Sequence, residues 1–239
     1  MSLDHSPFVA SLPPREQQRL LDRAVPRQLE RGDALYLTGD EERRVHVVES
    51  GILKLACCDA EGRETTLALA LPGDLVGETS ACDGDLQPLD VIALTPTKVI
   101  GIDAELFIDV ATRNADAALE LARTFAARMR WVTATASERT TNDVPSRLAA
   151  RLLDLAEMIG RMRSGTIEVD LPLTRTDVGQ MAGMCRESAS KTLTSWKRQG
   201  VLEHNGKTLR IFRPDALERI RCAGRAAEPF RSRDAADRL

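Results

Sequence analysis

Five polar side chains in the C-terminal part of the chain are spaced so that they share one face of a helix. They are Arg186, Glu187, Ser190, Lys191 and Thr194. Positions i, i+1, i+4 and i+5 face the same way because the α-helix repeats every 3.6 residues. Cations, carboxylates and hydroxyls are the groups that read base edges in the major groove of DNA. The pattern therefore predicts a DNA-reading helix, with the first four of these residues at the bases.

The surrounding residues predict the elements that hold this face in place. Thr174 and Asp177 form a capping-box pattern that starts a first helix, and Gly183 ends it where a left-handed residue is needed. A second helix is expected over about 185–198, and an Asn-Gly pair at 205–206 between strand-like runs indicates a hairpin. Helix, turn, helix and hairpin predict a winged helix-turn-helix. The alternative is an αα-hairpin packed inside a larger domain.

Local charge agrees with the winged helix-turn-helix. Residues 174–213 hold eight basic and three acidic side chains and so carry +5, whereas the whole chain carries −3. The remainder therefore sums to −8. A basic module on an acidic body is the electrostatic footprint of a DNA-binding protein. Three flanking residues are also predicted to contact DNA, namely Thr174, Arg175 and Lys207.

The bulk composition limits the other possibilities. A length of 239 residues predicts two domains, and 43% hydrophobic with 29% charged residues is typical of soluble globular domains. No apolar run approaches the roughly 20 residues of a membrane span, and residues 1–18 lack a signal-peptide pattern, so we expect a cytoplasmic protein with no membrane contact. The sequence shows no Ser/His/Asp arrangement, phosphate-binding loop or metal-ligand cluster, which argues against an enzyme and against a metal site.

The N-terminal half has a strand pattern instead. After a predicted helix at 15–23, short β-favouring runs alternate with turn signals up to residue 102. The predicted strands are 27–30, 34–37, 45–49, 52–57, 65–71, 75–77, 91–94 and 98–102. Many short strands at near-regular spacing indicate a sandwich, a barrel or a roll.

A long helix is predicted over 114–138, and apolar residues recur along it at spacings of four and three. These residues are Ala118, Ala122, Phe125, Met129, Val132 and Ala136. Such a stripe is typical of a coiled-coil seam, so we interpret it as a homodimer contact. The predicted dimerisation residues are Phe125, Met129 and Val132. Packing on the strand domain is the alternative for this stripe, although Leu119 and Leu121 are available for that second contact.

The chain divides into four parts on these signals, and the predicted fold class is α+β. Polar, β-branched residues at 137–142 indicate a hinge, and Asp143 is a cap for a further helix over 144–159. A short strand at 166–169 precedes the helix-turn-helix. The predicted parts are a strand-rich domain with its N-terminal helix at 1–113, a dimerisation helix and hinge at 114–142, a winged helix-turn-helix domain at 143–222, and a tail at 223–239.

Four motifs carry a family resemblance. They are RGDALYLTGD at 31–40, ESGILKL at 49–55, PGDLVGE at 72–78 and GMCRESASKTL at 183–193. Together they resemble the CRP/FNR family of bacterial transcription regulators over about residues 29–212. The resemblance implies a β-roll of the cyclic-nucleotide-binding kind, a dimerising helix and a winged helix-turn-helix. It also implies a homodimer that binds double-stranded DNA at an inverted repeat, with RNA polymerase as a further partner.

The resemblance also gives roles to the reading face. Arg186-Glu187 corresponds to the arginine–glutamate pair of the catabolite activator, and Ser190 matches the serine of the fumarate–nitrate branch. Lys191 replaces the arginine that both branches usually carry, and a lysine is a point donor, so the two-bond guanine contact of that arginine is not carried over to it. Half-sites of the TGTGA or TTGAT type are therefore expected.

At the family's effector site, this chain departs from the cyclic-AMP pattern. Gly77-Glu78 matches the effector loop of the cyclic-AMP-binding members, and Glu78 is placed to contact a ribose. The Arg-Ser pair that would hold the cyclic phosphate falls at Gln87-Pro88, which cannot neutralise a phosphate. Val132-Thr133 replaces a hydroxyl pair that would contact the purine. The resemblance thus implies effector contacts at Gly77, Glu78 and Thr133 and argues against cyclic AMP, and PGDLVGE is closer to the fumarate–nitrate branch.

The sequence leaves the cofactor open. Iron–sulfur sensors of the fumarate–nitrate branch use an N-terminal cysteine cluster, and here no cysteine precedes Cys57, which argues against that cluster. Haem stays open, with His46 and His204 read as core or surface histidines. Buried structural roles are favoured over oxidant sensing for three thiols, Cys57, Cys58 and Cys82. Cys185 is read as a small residue in the turn before the reading helix.

The predicted function is a homodimeric, sequence-specific DNA-binding transcription regulator. Its activity is expected to follow a signal sensed at the β-roll or the dimer helix. The alternative is a cyclic-nucleotide- or redox-responsive regulatory module with a non-DNA output. The roll alone would permit that output, whereas the basic helix-turn-helix opposes it.

Overall fold

The computed structural model describes residue 3, residues 5–141 and residues 143–223. Two short helices, α1 (Pro7–Ala10) and α2 (Pro14–Leu21), precede the strands of the N-terminal domain. The strands are β1 (Val25–Leu29), β2 (Ala34–Tyr36), β3 (Arg44–Ser50), β4 (Leu53–Cys58), β5 (Glu64–Ala70), β6 (Leu75–Val76), β7 (Asp90–Ala93) and β8 (Thr97–Asp103). All eight predicted strands are therefore present, with ends shifted by at most two residues.

These strands form two antiparallel sheets that enclose the roll core. The strand orders are β1-β8-β3-β6 and β2-β7-β4-β5. Buried β-branched and leucine side chains from both sheets meet in one cluster, which includes Val48, Leu53, Val91 and Val99. Each of these four is at most 1% exposed, so the two inner faces form the dry core that a roll requires.

Two helices lie within and after the roll. The six-residue helix α3 (Glu78–Asp83) follows Gly77, whose φ of 86° is the left-handed conformation that favours glycine. No helix was predicted there, because ETSACD has no apolar repeat. Helix α4 (Ala104–Arg113) begins where Asp103 accepts hydrogen bonds from the amides of Glu105 and Leu106.

Helix α5 (Ala115–Thr141) is the longest element of the described residues. The predicted hinge at 137–142 is wrong over 137–141, because α5 continues through that segment. Serine and threonine are weak helix formers, but without glycine or proline they do not end a helix. Residue 142 itself lies outside the described residues.

The C-terminal domain combines helices with a small sheet. Its elements are α6 (Val144–Ile159), β9 (Arg161–Arg163), β10 (Thr166–Val169), α7 (Arg175–Ala182), α8 (Arg186–Arg198), β11 (Leu202–His204), β12 (Leu209–Ile211) and α9 (Pro214–Ala223). The sheet order is β11-β12-β10-β9. Helix α6 has the predicted bounds and the predicted Asp143 cap, whereas β9 and α9 were not predicted. The predicted tail, beyond Ala223, lies outside the described residues.

The two domains pack against each other. Leu94 of the roll is buried in the same cluster as the core of the C-terminal domain, and Ile52 and Leu69 pack against that cluster. Helix α7 lies against β5 across this contact. The roll and the helix-turn-helix are thus in direct packing contact within one chain. Each helix of the described residues is too short or too polar to cross a bilayer.

Candidate functional site

The helix-turn-helix begins at the predicted capping box. The Thr174 hydroxyl accepts a hydrogen bond from the Asp177 amide at 3.1 Å, and the Asp177 carboxylate accepts one from the Thr174 amide at 2.7 Å. These bonds satisfy two amides that a helix start leaves unpaired. Helix α7 ends at Gly183, whose φ is 62°. Both predicted ends of this helix are confirmed.

A glycine inside α7 brings the two helices close together. A β-carbon on Gly179 would lie 2.8 Å from the carbonyl oxygen of Met184, a distance that real side chains do not tolerate. The Met184 amide donates to the Gly179 carbonyl at 2.9 Å and closes the turn. This tight turn fixes the angle at which α8 leaves α7.

Helix α8 separates a buried face from an exposed one. Ala189, Leu193 and Trp196 are buried in the domain core, as their spacing predicts. The side chains of Arg186, Glu187 and Lys191 are exposed, and Ser190 is half-buried. Neither Arg186 nor Lys191 forms an ion pair with any described residue, so their charges are free for an external partner.

The wing follows in the predicted form. Strands β11 and β12 pair, and Gly206 lies between them with a φ of 86°. The Asn205 side-chain oxygen accepts from the amides of Lys207 at 2.9 Å and Thr208 at 2.8 Å, which fixes the turn. Lys207 lies at the tip of the wing and is exposed. The wing thereby presents a cation to solvent.

Arg175 lies differently from the other predicted DNA contacts. Its side chain is half-buried, and one terminal guanidinium nitrogen has no hydrogen-bond partner among the described residues. Burial lowers the pKa of Arg175. His204 of the wing lies nearby, and burial, together with the Arg175 charge, lowers the pKa of that imidazole. The Arg175 side chain is therefore partly covered, whereas Thr174 and Lys207 face solvent.

An arginine of the roll holds the start of α7. The Arg31 guanidinium lies 2.8 Å from the Asp177 carboxylate and donates to the carbonyl oxygens of Leu94 and Pro172. The sequence reasoning did not assign Arg31 to any site. It joins the roll to the helix end that carries Thr174.

A cavity of about 280 Å³ lies between the roll and α5, and we call it the effector cavity. Its walls include Gly77, Glu78, Gln87, Phe125, Met129 and Val132. Two of the three predicted effector residues, Gly77 and Glu78, are thus brought together there. Thr133 is exposed and does not line the cavity, and the neighbouring Val132 does.

A buried ion pair forms one wall of the effector cavity. The Glu78 side chain is completely buried, and its Oε1 accepts a hydrogen bond from Arg128 of α5. The other terminal nitrogen of Arg128 donates to the Leu75 carbonyl. Sequence reasoning missed Arg128, although its position three residues before Trp131 and four after Thr124 places it on a helical stripe with them.

Gln87 lies at the position where the resemblance expects an arginine. Its backbone is fixed by hydrogen bonds with Gly39 and Asp40, and its side chain is 2% exposed. Its Nε2 atom lies 3.6 Å from where a β-carbon of Gly77 would be, and the Tyr36 ring lies 3.7 Å from the same point. Burial raises the pKa of the Tyr36 hydroxyl, and the Glu78 charge raises it further, so Tyr36 stays protonated.

Comparisons with known proteins agree with this architecture. A cyclic nucleotide-binding domain model matches residues 26–114, and a Crp-like helix-turn-helix domain model matches residues 146–220. The solved structure of FixK2 from Bradyrhizobium japonicum superposes with a TM-score of 0.74 at 22% identity, and covers 86% of this chain and 98% of that one. That similarity shows the fold.

Two curated relatives cover most of both chains. A CRP-like cAMP-activated global transcriptional regulator of Mycobacterium tuberculosis is 26% identical over 84% of this chain and 89% of its own. The transcriptional regulator LdrP of Thermus thermophilus is 30% identical over 83% of this chain and 96% of its own. The chain belongs to the CRP/FNR family of transcription regulators. As in other CRP/FNR regulators, a cyclic-nucleotide-binding-like domain is joined to a DNA-binding helix-turn-helix.

The predicted dimer stripe of this CRP/FNR chain is open to solvent. Met129 is 68% exposed and Val132 is 46% exposed, while Phe125 is half-buried. Ala118 and Ala122 are exposed on the same side. Of the two residues considered for packing on the roll, Leu121 is buried there, whereas Leu119 is 49% exposed. The stripe is thus accessible to a second chain, as the predicted dimer contact requires.

The histidines and thiols of the CRP/FNR chain occupy separate places in the structure. No group of three or more His, Cys, Asp or Glu side chains that could hold a metal occurs in the described residues. His46 is buried in the roll, 3.8 Å from the Glu42 carboxylate. Cys57 is half-buried, but Cys58 and Cys82 are exposed, so the expectation that these two thiols are buried is wrong. Both lie at the ends of short elements, where burial is incomplete.

A larger cavity of about 380 Å³ lies between parts of the two domains and shares Arg128 with the effector cavity. Leu69, Trp131, Leu155 and Met181 line it together with Arg128. The Trp131 indole donates to the Leu67 carbonyl of β5, and the Arg151 guanidinium of α6 lies 4.4 Å from the ring centre. Arg128 therefore lines both cavities, the effector cavity and the one at the contact with the DNA-binding domain.

Proposed function

We propose that this CRP/FNR regulator acts as a homodimer on an inverted-repeat DNA site. The observation that carries this proposal is the exposed face of α8, where Arg186 and Lys191 have no intramolecular partner among the described residues. Two such faces related by a twofold axis suit half-sites about one helical turn apart. The seam residues Phe125, Met129 and Val132 supply the dimer contact.

The side chains of α8 suit particular base edges. Arg186 clamps guanine O6 and N7 with two hydrogen bonds, and Glu187 accepts from a cytosine amino group. A carboxylate near DNA phosphates is costly unless it makes a specific base contact, so the position of Glu187 supports a reading role. Ser190 and Lys191 add single contacts, because a lysine is a point donor.

Backbone contacts come from the residues around this face. Thr174 at the start of α7 and Lys207 at the wing tip are exposed and suit phosphate oxygens. Arg175 joins them if its half-buried side chain turns outward on binding. RNA polymerase is the expected protein partner of the DNA-bound dimer.

The signal enters through the effector cavity. Phe125, Met129 and Val132 line this cavity and also form the dimer stripe, so an occupant touches the seam directly. On the other side, Arg128 pairs with Glu78 and lies three residues before Trp131 on α5. The Trp131 ring contacts Arg151 of α6, so α5 connects the cavity to the DNA-binding domain. Cyclic AMP is not the expected signal, because Gln87 supplies no charge for its phosphate.

The reading face is tested by selection of binding sites from random duplexes. Glu187→Ala should lose discrimination at one G·C pair of each half-site by about 1–3 kcal/mol, and should bind unspecific DNA no worse. Arg186→Ala should lose a comparable amount at a different position. Arg198→Ala is the matched control, since it removes a cation about 18 Å further along the same helix. If Glu187→Ala leaves every preferred base unchanged, the assignment of this face is wrong.

A further inference from the structure

Two polar atoms of the effector cavity are buried without partners. The Glu78 Oε2 acceptor and the Gln87 Nε2 donor form no hydrogen bond with any described residue. Glu78 is 0% exposed and Gln87 is 2% exposed, and both residues line the same cavity. A buried polar group without a hydrogen-bond partner destabilises the fold. Such a group in a folded protein is therefore expected to find its partner in a bound molecule. The pair offers one acceptor and one donor.

The charges of this cavity are already balanced. Arg128 and Glu78 are its only charged lining residues among those described, and they pair with each other. An anionic ligand would have to take Arg128 away from Glu78 and would leave a carboxylate buried and unpaired. A cationic ligand would have to displace Arg128 from Glu78 and would leave the guanidinium without its partner. The balance therefore favours an uncharged occupant.

The remaining walls are mainly apolar, and their polar groups are the hydroxyls of Tyr36 and Thr79. Leu55, Leu89 and Phe125 line the cavity on the roll and α5 sides, and Met129 and Val132 close it toward the dimer stripe. Ligand sites of this kind combine apolar walls with a few placed polar groups that fix orientation. At about 280 Å³ the cavity suits a small molecule.

We propose that the effector cavity binds an uncharged, mainly apolar molecule that offers a hydrogen-bond donor to Glu78 and an acceptor to Gln87. A primary carboxamide on an apolar body has this chemistry. Gln87 is then the residue that determines specificity. Its neutral amide N–H donates to an uncharged acceptor, whereas a cation at this position would select an anion. The proposal rests on the proposed function only in treating this cavity as the place where the signal enters.

The test compares three probes of nearly equal shape. Benzamide carries the donor and acceptor, benzoate is its anionic counterpart, and toluene keeps only the apolar body. Ligand-observed NMR on the full-length protein should show benzamide binding with a dissociation constant of about 1 mM, as its size allows. Benzoate and toluene should each bind at least about tenfold more weakly. Calorimetry with millimolar cyclic AMP should show no tight site.

Variants of Gln87 assign the contact. Gln87→Leu should weaken benzamide binding about fivefold or more, and Gln87→Arg should reverse the preference toward benzoate. Gln28→Leu, at an exposed position of β1, is the control and should leave both affinities unchanged. The wild-type preference among the probes tests the proposal even if a variant does not fold.

Several outcomes overturn the proposal. Toluene binding as tightly as benzamide would mean that water alone satisfies the two polar atoms. Tighter binding of benzoate, a micromolar cyclic AMP site, or no benzamide binding at 10 mM would contradict an uncharged hydrogen-bonding ligand. Site selection on DNA is measured separately with the same wild-type protein. Loss of the ligand result with intact DNA reading would remove this inference and leave the proposed reading face in place.

Discussion

The long helix α5 carries two parallel stripes that treat their side chains in opposite ways. On the stripe that faces the roll, Ala117 and Leu121 are buried, and Arg128 and Trp131 bond to atoms of the roll. On the other stripe, Met129 is 68% exposed. Neighbours in sequence thus show the reverse of the usual rule, since the arginine at 128 is paired and mostly covered while the methionine at 129 faces solvent.

The two stripes differ in where their side chains find partners. Polar residues of the roll-facing stripe are satisfied within one chain, because Glu78 and the Leu67 carbonyl stand opposite them. On the apolar stripe, Phe125 packs in part against the roll, whereas Met129 and Val132 stay exposed in the described chain. Apolar side chains gain free energy when they are removed from water. The first stripe therefore determines how the chain folds, and we expect the second to determine how two chains associate.

The largest effect is expected from a charge on the apolar stripe. Met129→Glu should raise the dimer dissociation constant at least a hundredfold, because each chain would bury an unpaired carboxylate in the seam. The free energy of unfolding of the monomer should stay within about 0.5 kcal/mol, since the side chain is exposed in one chain. Analytical ultracentrifugation gives the first quantity and urea unfolding the second.

Ala134→Glu is the matched control for this prediction. It places the same charge on an exposed position of α5 outside the stripe and should remain dimeric. A Met129→Glu variant that stays dimeric and binds its inverted repeat normally would show that the stripe is not the seam.

The two stripes also differ in how well the sequence predicts them. The apolar stripe stands out because residues of one chemical kind recur at spacings of four and three. The roll-facing stripe mixes Thr124, Arg128 and Trp131 with alanine and leucine, so no hydrophobic repeat marks it. Its meaning depends on Glu78, which lies 50 residues earlier in the chain. Long-range pairs of this kind cannot be read from spacing.

The same distinction runs through the whole fold. The helix-turn-helix was predictable because the Thr174 capping box and Gly183 act within a few residues. Strand β9 was missed because Arg161–Arg163 is exposed along its length, and pairing with β10 is what makes it a strand. In the effector cavity, Glu78 and Gln87 were noted from the sequence, but their unpartnered atoms became visible only with the surrounding walls.

A smaller effect is expected from removing the cation of the roll-facing stripe. Arg128→Met should lower the free energy of unfolding by about 2 kcal/mol, because Glu78 would be left buried and unpaired. The expected loss is below that for a fully buried pair, since the Arg128 side chain is 27% exposed. Urea unfolding followed by circular dichroism measures it.

Two further variants sharpen this result. Arg130→Met removes an exposed cation two residues away and should change the free energy of unfolding by less than about 0.5 kcal/mol. Glu78→Leu combined with Arg128→Met should recover part of the loss, because two apolar side chains leave no unpaired charge. An Arg128→Met protein as stable as wild type would mean that the pair does not hold α5 on the roll.

The smallest effect is expected at Trp131, where one hydrogen bond can be removed while the ring is kept. Trp131→Phe deletes the indole N–H that donates to the Leu67 carbonyl and should lower the free energy of unfolding by about 1 kcal/mol. Arg151 still covers the phenyl face, so most of the cation–π contact is retained. Trp131→Leu removes that contact as well and should lose about 1 kcal/mol more. Circular dichroism is the suitable probe, because these variants change the fluorescence. Equal losses in both variants would assign the whole contribution of Trp131 to its hydrogen bond, and no loss in either would contradict a structural role for the roll-facing stripe at this position.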